Sequence, residues 1–292
     1  MLTEFARAKI NLTLDIAGVR DDGYHEVSMI MQSIKLADEL VLKKIPHGIN
    51  FSMDATRIVG GETIPTDARN LAWRAAMAFC DFCGKNFGVA INLLKKIPVA
   101  AGLAGGSADA AAVIRGMNRL YETNLTDAQL CEIGARVGSD VPFCIIGGTC
   151  LAEGRGEILT RLAPMKNFSV VLAKPQGEIS TAWSYKTYDA EPATSHPPNE
   201  KIIELLRHGE YTAAFKKFAN VLEDVALKKI PVIAEYKDRM LAAGAEVALM
   251  SGSGATVFAL TDEAHVDKVS ASINDSSAQI FVTKLFCGHH DG

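Results

Sequence analysis

Pro98-Val99-Ala100-Ala101-Gly102-Leu103-Ala104-Gly105-Gly106-Ser107-Ala108 is the stretch that decides the fold of this chain. It lies between residues 87–94, of strand character, and residues 107–120, where Ala110, Val113, Met117 and Leu120 recur at helical spacing. Small residues let the backbone approach a ligand closely. Glycine also permits the φ > 0 angles that turn successive N–H groups inward. A helix opening at Ser107 aims its positive end and its free N–H groups into the loop, an environment that suits a polyphosphate. A flexible turn capped by Ser107 is the plain alternative.

Two common phosphate loops do not fit. A P-loop needs Lys and then Ser or Thr after its last glycine, but Gly106 is followed by Ser107-Ala108. The dinucleotide fingerprint needs glycines at its first, third and sixth places, and Gly102-Leu103-Ala104-Gly105 breaks it.

Upstream, Ile10, Leu12, Leu14 and Ile16 alternate with Lys9, Asn11, Thr13 and Asp15. This predicts a half-buried strand whose polar face carries Lys9 and Asn11 together. A polar turn at residues 18–23 leads to a second strand at 26–36. Residues 70–83 have the spacing of a helix. Downstream, strands are expected at 168–173, 245–250, 256–261 and 280–285, with helices at 231–243 and 264–273. Residues 189–200, which contain Pro192, Pro197 and Pro198, read as a loop. The order predicts an α+β chain of two units, 1–164 and 165–292.

The bulk composition excludes several classes. The 292 residues carry a net charge of −4, so nucleic acid is not the expected partner. The six cysteines are scattered through apolar stretches. One Cys-x-x-Cys, Cys80 and Cys83, lacks the second pair of a zinc ribbon, so buried thiols in a reducing compartment are expected. Residues 1–16 lack the pattern of a secretory leader, and no apolar run reaches the ~18 residues that span a bilayer. A cytoplasmic protein with no membrane partner is expected. Composition does not address its oligomeric state.

Residues 98–108 closely resemble the phosphate loop of the GHMP kinase superfamily. Ala108 stands where many members have a second serine, so no metal role is placed there. Met250-Ser251-Gly252-Ser253-Gly254-Ala255-Thr256-Val257-Phe258 resembles a further motif of the superfamily, a small loop against the phosphate site. Ala8-Lys9-Ile10-Asn11-Leu12, Asp22-Gly23-Tyr24-His25-Glu26 and Gly138-Ser139-Asp140-Val141-Pro142-Phe143 are similar to the branch whose acceptor is 4-diphosphocytidyl-2-C-methyl-D-erythritol. The resemblance implies an N-terminal domain like ribosomal protein S5 domain 2 and a ferredoxin-like C-terminal one. It also implies ATP and Mg²⁺ as cofactors, with the metal ligands unassigned, and a small-molecule substrate.

Residue roles follow from the resemblance as expectations. Lys9 and Asp140 match the catalytic pair. A carboxylate accepts the hydroxyl proton, and an ammonium steadies it and the incoming phosphoryl oxygens. The alternatives are a solvated strand lysine and a cap for the turn before Pro142. Pro98, Val99, Ala100, Ala101, Gly102, Leu103, Ala104, Gly105, Gly106, Ser107 and Ala108 are expected at the nucleotide. Asn11, Tyr24, His25, Tyr185 and Lys186 are expected at the acceptor, Tyr185 being equally readable as a core residue near Trp183. Another superfamily kinase, for mevalonate, homoserine or a sugar, and a non-catalytic nucleotide sensor remain as alternatives.

Overall fold

A computed structural model describes residues 1–56, 58 and 64–288. His289 and His290, to which the sequence assigns no role, lie outside the described residues. The chain opens with two long antiparallel strands, β1 (Leu2–Val19) and β2 (His25–Ile45). Both outrun the stretches that alternation picks out. Register shifts between Arg7 and Lys9, Asn11 and Thr13, and Ile16 and Gly18 bend the ribbon without ending it. The polar face of β1 is not in solvent as the alternation predicts. Lys9 is only 4% exposed, and Asn11 and Thr13 are fully buried. That face is covered by the glycine loop, the Ser251 loop and Asn199, each bonded to it.

Among the described residues, β3 (Ile49–Asp54), β4 (Gly88–Leu94), β5 (Thr149–Glu153) and β6 (Ile158–Arg161) complete the first sheet, in the order β3-β4-β2-β5-β6 with β1 on β2. The β3–β4 pair is parallel, and α1 (Leu71–Cys83) lies in its crossover, capped by the Asn70 side chain. Next comes α2 (Gly105–Tyr121), whose residues 108–117 are all buried. Its alanines let the helix pack closely against β1, β2 and α1. The next helix, α3 (Asp127–Val137), begins in a capping box between Thr126 and Gln129. A short helix, α4 (Val141–Ile146), follows with Asp140 at its start.

The second sheet is wholly antiparallel, built from β7 (Ser169–Lys174), β8 (Val247–Met250), β9 (Val257–Thr261) and β10 (Gln279–Lys284) in the order β10-β7-β9-β8. Between β7 and β8 run α5 (Thr181–Ala190), α6 (Asn199–Arg207), α7 (Tyr211–Phe215), α8 (Glu223–Lys229) and α9 (Val232–Ala242). Between β9 and β10 lies α10 (Val266–Ala271). The loop expected over 189–200 shrinks to 191–198, because α5 runs to Ala190 and α6 starts directly after Pro198.

The C-terminal half is stitched to the first sheet by backbone and side-chain bonds. The Leu14 N–H donates to Ala219 O at 3.0 Å, and the Val221 N–H to Leu14 O at 3.0 Å. Gln32 Nε2 donates to Phe286 O at 2.9 Å. All six cysteines are free, and burial pushes the Cys131 and Cys150 thiols up to about 11. Among the described residues, no helix is long and apolar enough to cross a membrane.

Candidate active site

The two sheets meet over a cleft of ≈ 880 Å³. One end is made of backbone. The helix α2 starts at Gly105, two residues earlier than the sequence predicts, and Ser107 does not cap it. The cap is Ala104, at φ +56° with no side-chain bond, and Ala108 N–H makes the first helical bond, to Ala104 O. The N–H groups of Gly105, Gly106 and Ser107 therefore stand free of the helix ladder. Left-handed angles at Ala100 (φ 48°), Gly102 (φ 72°) and Ala104 (φ 56°) curl the chain ahead of them into a concave run of N–H groups. Ala108 sits behind this wall, buried, and does not reach the cleft.

The Gly102 carbonyl ties three segments together. It accepts from Lys9 Nζ at 3.0 Å and from Ser251 Oγ at 3.0 Å. The Lys9 N–H donates to the neighbouring Leu103 O at 3.1 Å, and Lys9 Nζ also donates to Asn11 Oδ1 at 2.5 Å. A Cβ on Gly102 would lie 2.2 Å from Ser251 O, so only glycine fits. Asn220 steadies the far side. Its amide donates to Met250 O at 2.9 Å and Gly252 O at 2.8 Å, and its oxygen accepts from Leu222 N–H at 3.0 Å. Bonds of this kind contribute roughly 1 kcal/mol each.

Below the loop lies a buried charge cluster that the sequence reading misses. Lys95 Nζ is 2.7 Å from Asp109 Oδ2 and also bonds Asp38, whose other oxygen accepts from the N–H groups of Lys96 and Ile97. Burial pushes the Asp109 carboxyl well above the usual range; Lys95 opposes this and Asp38 adds to it. Burial also disfavours the Lys95 charge, but Asp109 and Asp38 together outweigh it and raise its pKa. Deleting one member of such a cluster costs about 3–5 kcal/mol, because the others are left uncompensated. The only outward signal was Lys95 itself, ending a strand just before the glycine loop.

Asp140 lines the same cleft as Lys9. Its side chain does not cap α4, contrary to the plain alternative, and among the described residues it makes no hydrogen bond or ion pair. Its charge is felt by its neighbours. Burial and then Asp140 push up the Cys144 thiol, which Lys9 pulls down; burial and then Asp140 push up the Tyr185 phenol.

The other end is made of side chains. Tyr24, 53% exposed, has the Arg155 guanidinium 5.0 Å from its ring centroid. The His25 ring lies 4.6 Å from that of Tyr185, tilted by 41°, and His25 Nε2 is 2.7 Å from Asp189 Oδ1. Tyr185 thus packs on His25 at the cleft wall, and the structure records no ring contact between it and Trp183. Lys186, expected here, is exposed and off the cleft wall, because one step along α5 turns it away from Tyr185. Sequence reasoning missed Arg155, which lines the cleft, and Asp189, which bonds His25 and was expected in a loop.

The family model for the GHMP kinases N terminal domain matches residues 70–148, and that for GHMP kinases C terminal matches 202–278. The chain is 44% identical over 287 residues to a 4-diphosphocytidyl-2-C-methyl-D-erythritol kinase of Geobacillus kaustophilus, covering 98% of this chain and 97% of that one. A Listeria monocytogenes protein of the same name is 48% identical over 87% of this chain and 86% of its own. A crystal structure of 4-(cytidine 5′-diphospho)-2C-methyl-D-erythritol kinase superposes with a TM-score of 0.81 at 32% identity, covering 98% of this chain and all of that one. A homoserine kinase from Cytophaga hutchinsonii shares the fold, at a TM-score of 0.76 and 18% identity. An uncapped glycine loop, a serine-glycine loop locked to it and relatives matched along nearly their full length place the chain in the GHMP kinase superfamily, among the 4-diphosphocytidyl-2-C-methyl-D-erythritol kinases.

Proposed function

We propose that this chain transfers the γ-phosphoryl of ATP to the 2-hydroxyl of 4-(cytidine 5′-diphospho)-2-C-methyl-D-erythritol, a step toward isoprenoid precursors by the non-mevalonate route. The observation that carries the reading is that Lys9 and Asp140 share one cleft with the free N–H groups of α2 and the Tyr24-His25 turn. Residues 98–107 hold the triphosphate, with N–H groups at Gly105, Gly106 and Ser107. Tyr24, with Tyr185 across the turn, flanks the cytosine; His25 reads its edge, and Asn11 contacts the acceptor.

In the transfer, a bond forms between the acceptor oxygen and the γ-phosphorus as the bond to the β–γ bridging oxygen breaks, leaving ADP. The hydroxyl proton passes to Asp140, whose carboxylate has no partner among the described residues. Lys9, pinned by Asn11 and the Gly102 carbonyl, holds its ammonium where charge moves onto the phosphoryl oxygens. Binding at the base end positions the hydroxyl, so chemistry depends on contacts remote from it.

Magnesium fits as an ion carried by the triphosphate. Among the described residues there is no cluster of three His, Cys, Asp or Glu side chains, and a magnesium ion of this kind needs only one or two carboxylates besides phosphate. Asp140 and the Ser107 hydroxyl would hold it, and it would supply charge neutralisation to the triphosphate. We place the reaction in the cytoplasm and divide the chain into an ATP-binding unit, 1–164, and a C-terminal unit, 165–292. An ADP-release assay across diphosphocytidyl-methylerythritol, mevalonate, homoserine and galactose tests the reading. Turnover with the first alone is expected; preference for another acceptor, or none with any, would overturn it.

A further inference from the structure

We propose that Asp189 is a positioning residue that fixes the proton of His25 on Nε2, and so makes the base end select cytosine over uracil. This rests on the reading of His25 as the residue facing the base edge. Asp189 Oδ1 lies 2.7 Å from His25 Nε2, joining two segments 164 residues apart in the chain. An ionised carboxylate only accepts, so the shared proton belongs to Nε2. In the neutral ring Nδ1 is then left as an acceptor, and among the described residues it has no partner of its own.

Cytosine presents an amino donor where uracil presents a carbonyl acceptor. A lone pair at Nδ1 pairs with the first and meets the second acceptor to acceptor. The ring cannot readily swing away from this task, since it packs on Tyr185 at 4.6 Å and its side chain is only 15% exposed. The placement of Asp189 is also costly to its own helix. It sits in the last turn of α5, which contains no basic residue, and a carboxylate there faces the negative end of the helix dipole. His25 is the hydrogen-bonding partner that the structure gives it.

Two readouts on the intact protein test this. Nitrogen-15 NMR of the histidine side chains is expected to show His25 as the neutral Nε2–H tautomer. Asp189→Asn, whose amide can donate to Nε2, is expected to move the proton to Nδ1. In parallel, kcat/KM is measured for the cytidine and uridine diphosphate forms of methylerythritol, with ATP saturating. Asp189→Asn and Asp189→Ala should narrow the cytidine-over-uridine ratio by about 5- to 150-fold, the effect of one mismatched buried polar contact.

Equal losses for both acceptors with an unchanged tautomer would make Asp189 merely structural and overturn the proposal. An imidazolium or Nδ1–H form in the unaltered protein would overturn it as well. His25→Ala separates the two levels. If it abolishes discrimination while both Asp189 variants keep it, the Asp189 proposal falls and the base reading stands. If His25→Ala keeps full discrimination, the base reading itself falls, and the proposal with it.

Discussion

The two ends of the cleft are built from different materials. At the glycine loop the groups free of the helix ladder are backbone N–H groups, and the Gly102 carbonyl locks the loop to Lys9 and Ser251. At the end proposed for the base the groups are side chains from three separate segments: Tyr24 and His25 from the β1–β2 turn, Arg155 after β5, and Tyr185 and Asp189 on α5. A backbone site depends on φ and on close approach of the chain rather than on which side-chain groups it carries. A side-chain site tolerates backbone drift but loses recognition one residue at a time. Substitutions at the two ends should therefore fail in different ways, and Asp140, in the same cleft, in a third.

The largest effect is expected at Asp140. Asp140→Asn keeps the shape but cannot take a proton, so turnover should fall by about 10²–10⁴ with ATP affinity nearly unchanged. Steady-state kinetics paired with calorimetric titration of an ATP analogue measures both. Near-normal turnover in the folded variant would remove Asp140 from the chemistry. Gly102→Val comes next. It puts a β-branched side chain at φ +72°, with its Cβ 2.2 Å from Ser251 O. Strain and overpacking of this kind cost roughly 2–6 kcal/mol together. Nucleotide affinity should drop on the order of 100-fold while acceptor binding changes far less; equal loss of both would mean that the two ends are not separable.

At the other end, Tyr24→Ala removes a base–aromatic stack worth roughly 1–3 kcal/mol. The acceptor kcat/KM should fall about 5- to 150-fold with no change in ATP affinity. A fall in ATP affinity instead would assign Tyr24 to the nucleotide.

The smallest effect concerns how stability changes with pH. Asp109 holds its proton in the fold to a pH well above its ordinary 3.8. Between those values the native chain binds a proton that the unfolded chain has released, so stability falls as pH rises through that window. Asp109→Asn should flatten this slope in thermal unfolding followed upward from pH 4. A slope identical in both proteins would show that Asp109 is ionised in the fold.

This contrast also explains what the sequence made legible. A backbone site is written in consecutive residues, so residues 98–108 carried both the fold and the phosphate end. The helix start was misplaced, because Ala104 takes a left-handed angle that propensity does not favour, and Ala108, expected at the nucleotide, is buried behind the loop. The four strands of the second sheet and helices α9 and α10 followed from apolar runs such as 168–173, but α5, α6, α7 and α8 between β7 and β8 were not foreseen. The base end was half legible. Tyr24 and His25 are adjacent in sequence, but Asp189 joins them only through the docking of α5, and Lys186 turned out to face away. The Lys95–Asp38–Asp109 cluster stayed hidden for the same reason: its members come from β2, the end of β4 and α2, and no local pattern marks a charge that will be buried. Alternation failed on β1 because it reports one face and cannot foresee what packs on the other.

The central claim is that the base end, remote from the chemistry, decides which hydroxyl is phosphorylated. Its most direct test compares kcat/KM of the unaltered protein for 4-diphosphocytidyl-2-C-methyl-D-erythritol and for methylerythritol 4-phosphate, which lacks the cytidine group, with ATP saturating. The account predicts that the second is a very poor substrate, because binding at Tyr24 and His25 is what brings the hydroxyl to Asp140. Equal use of the two acceptors would contradict it.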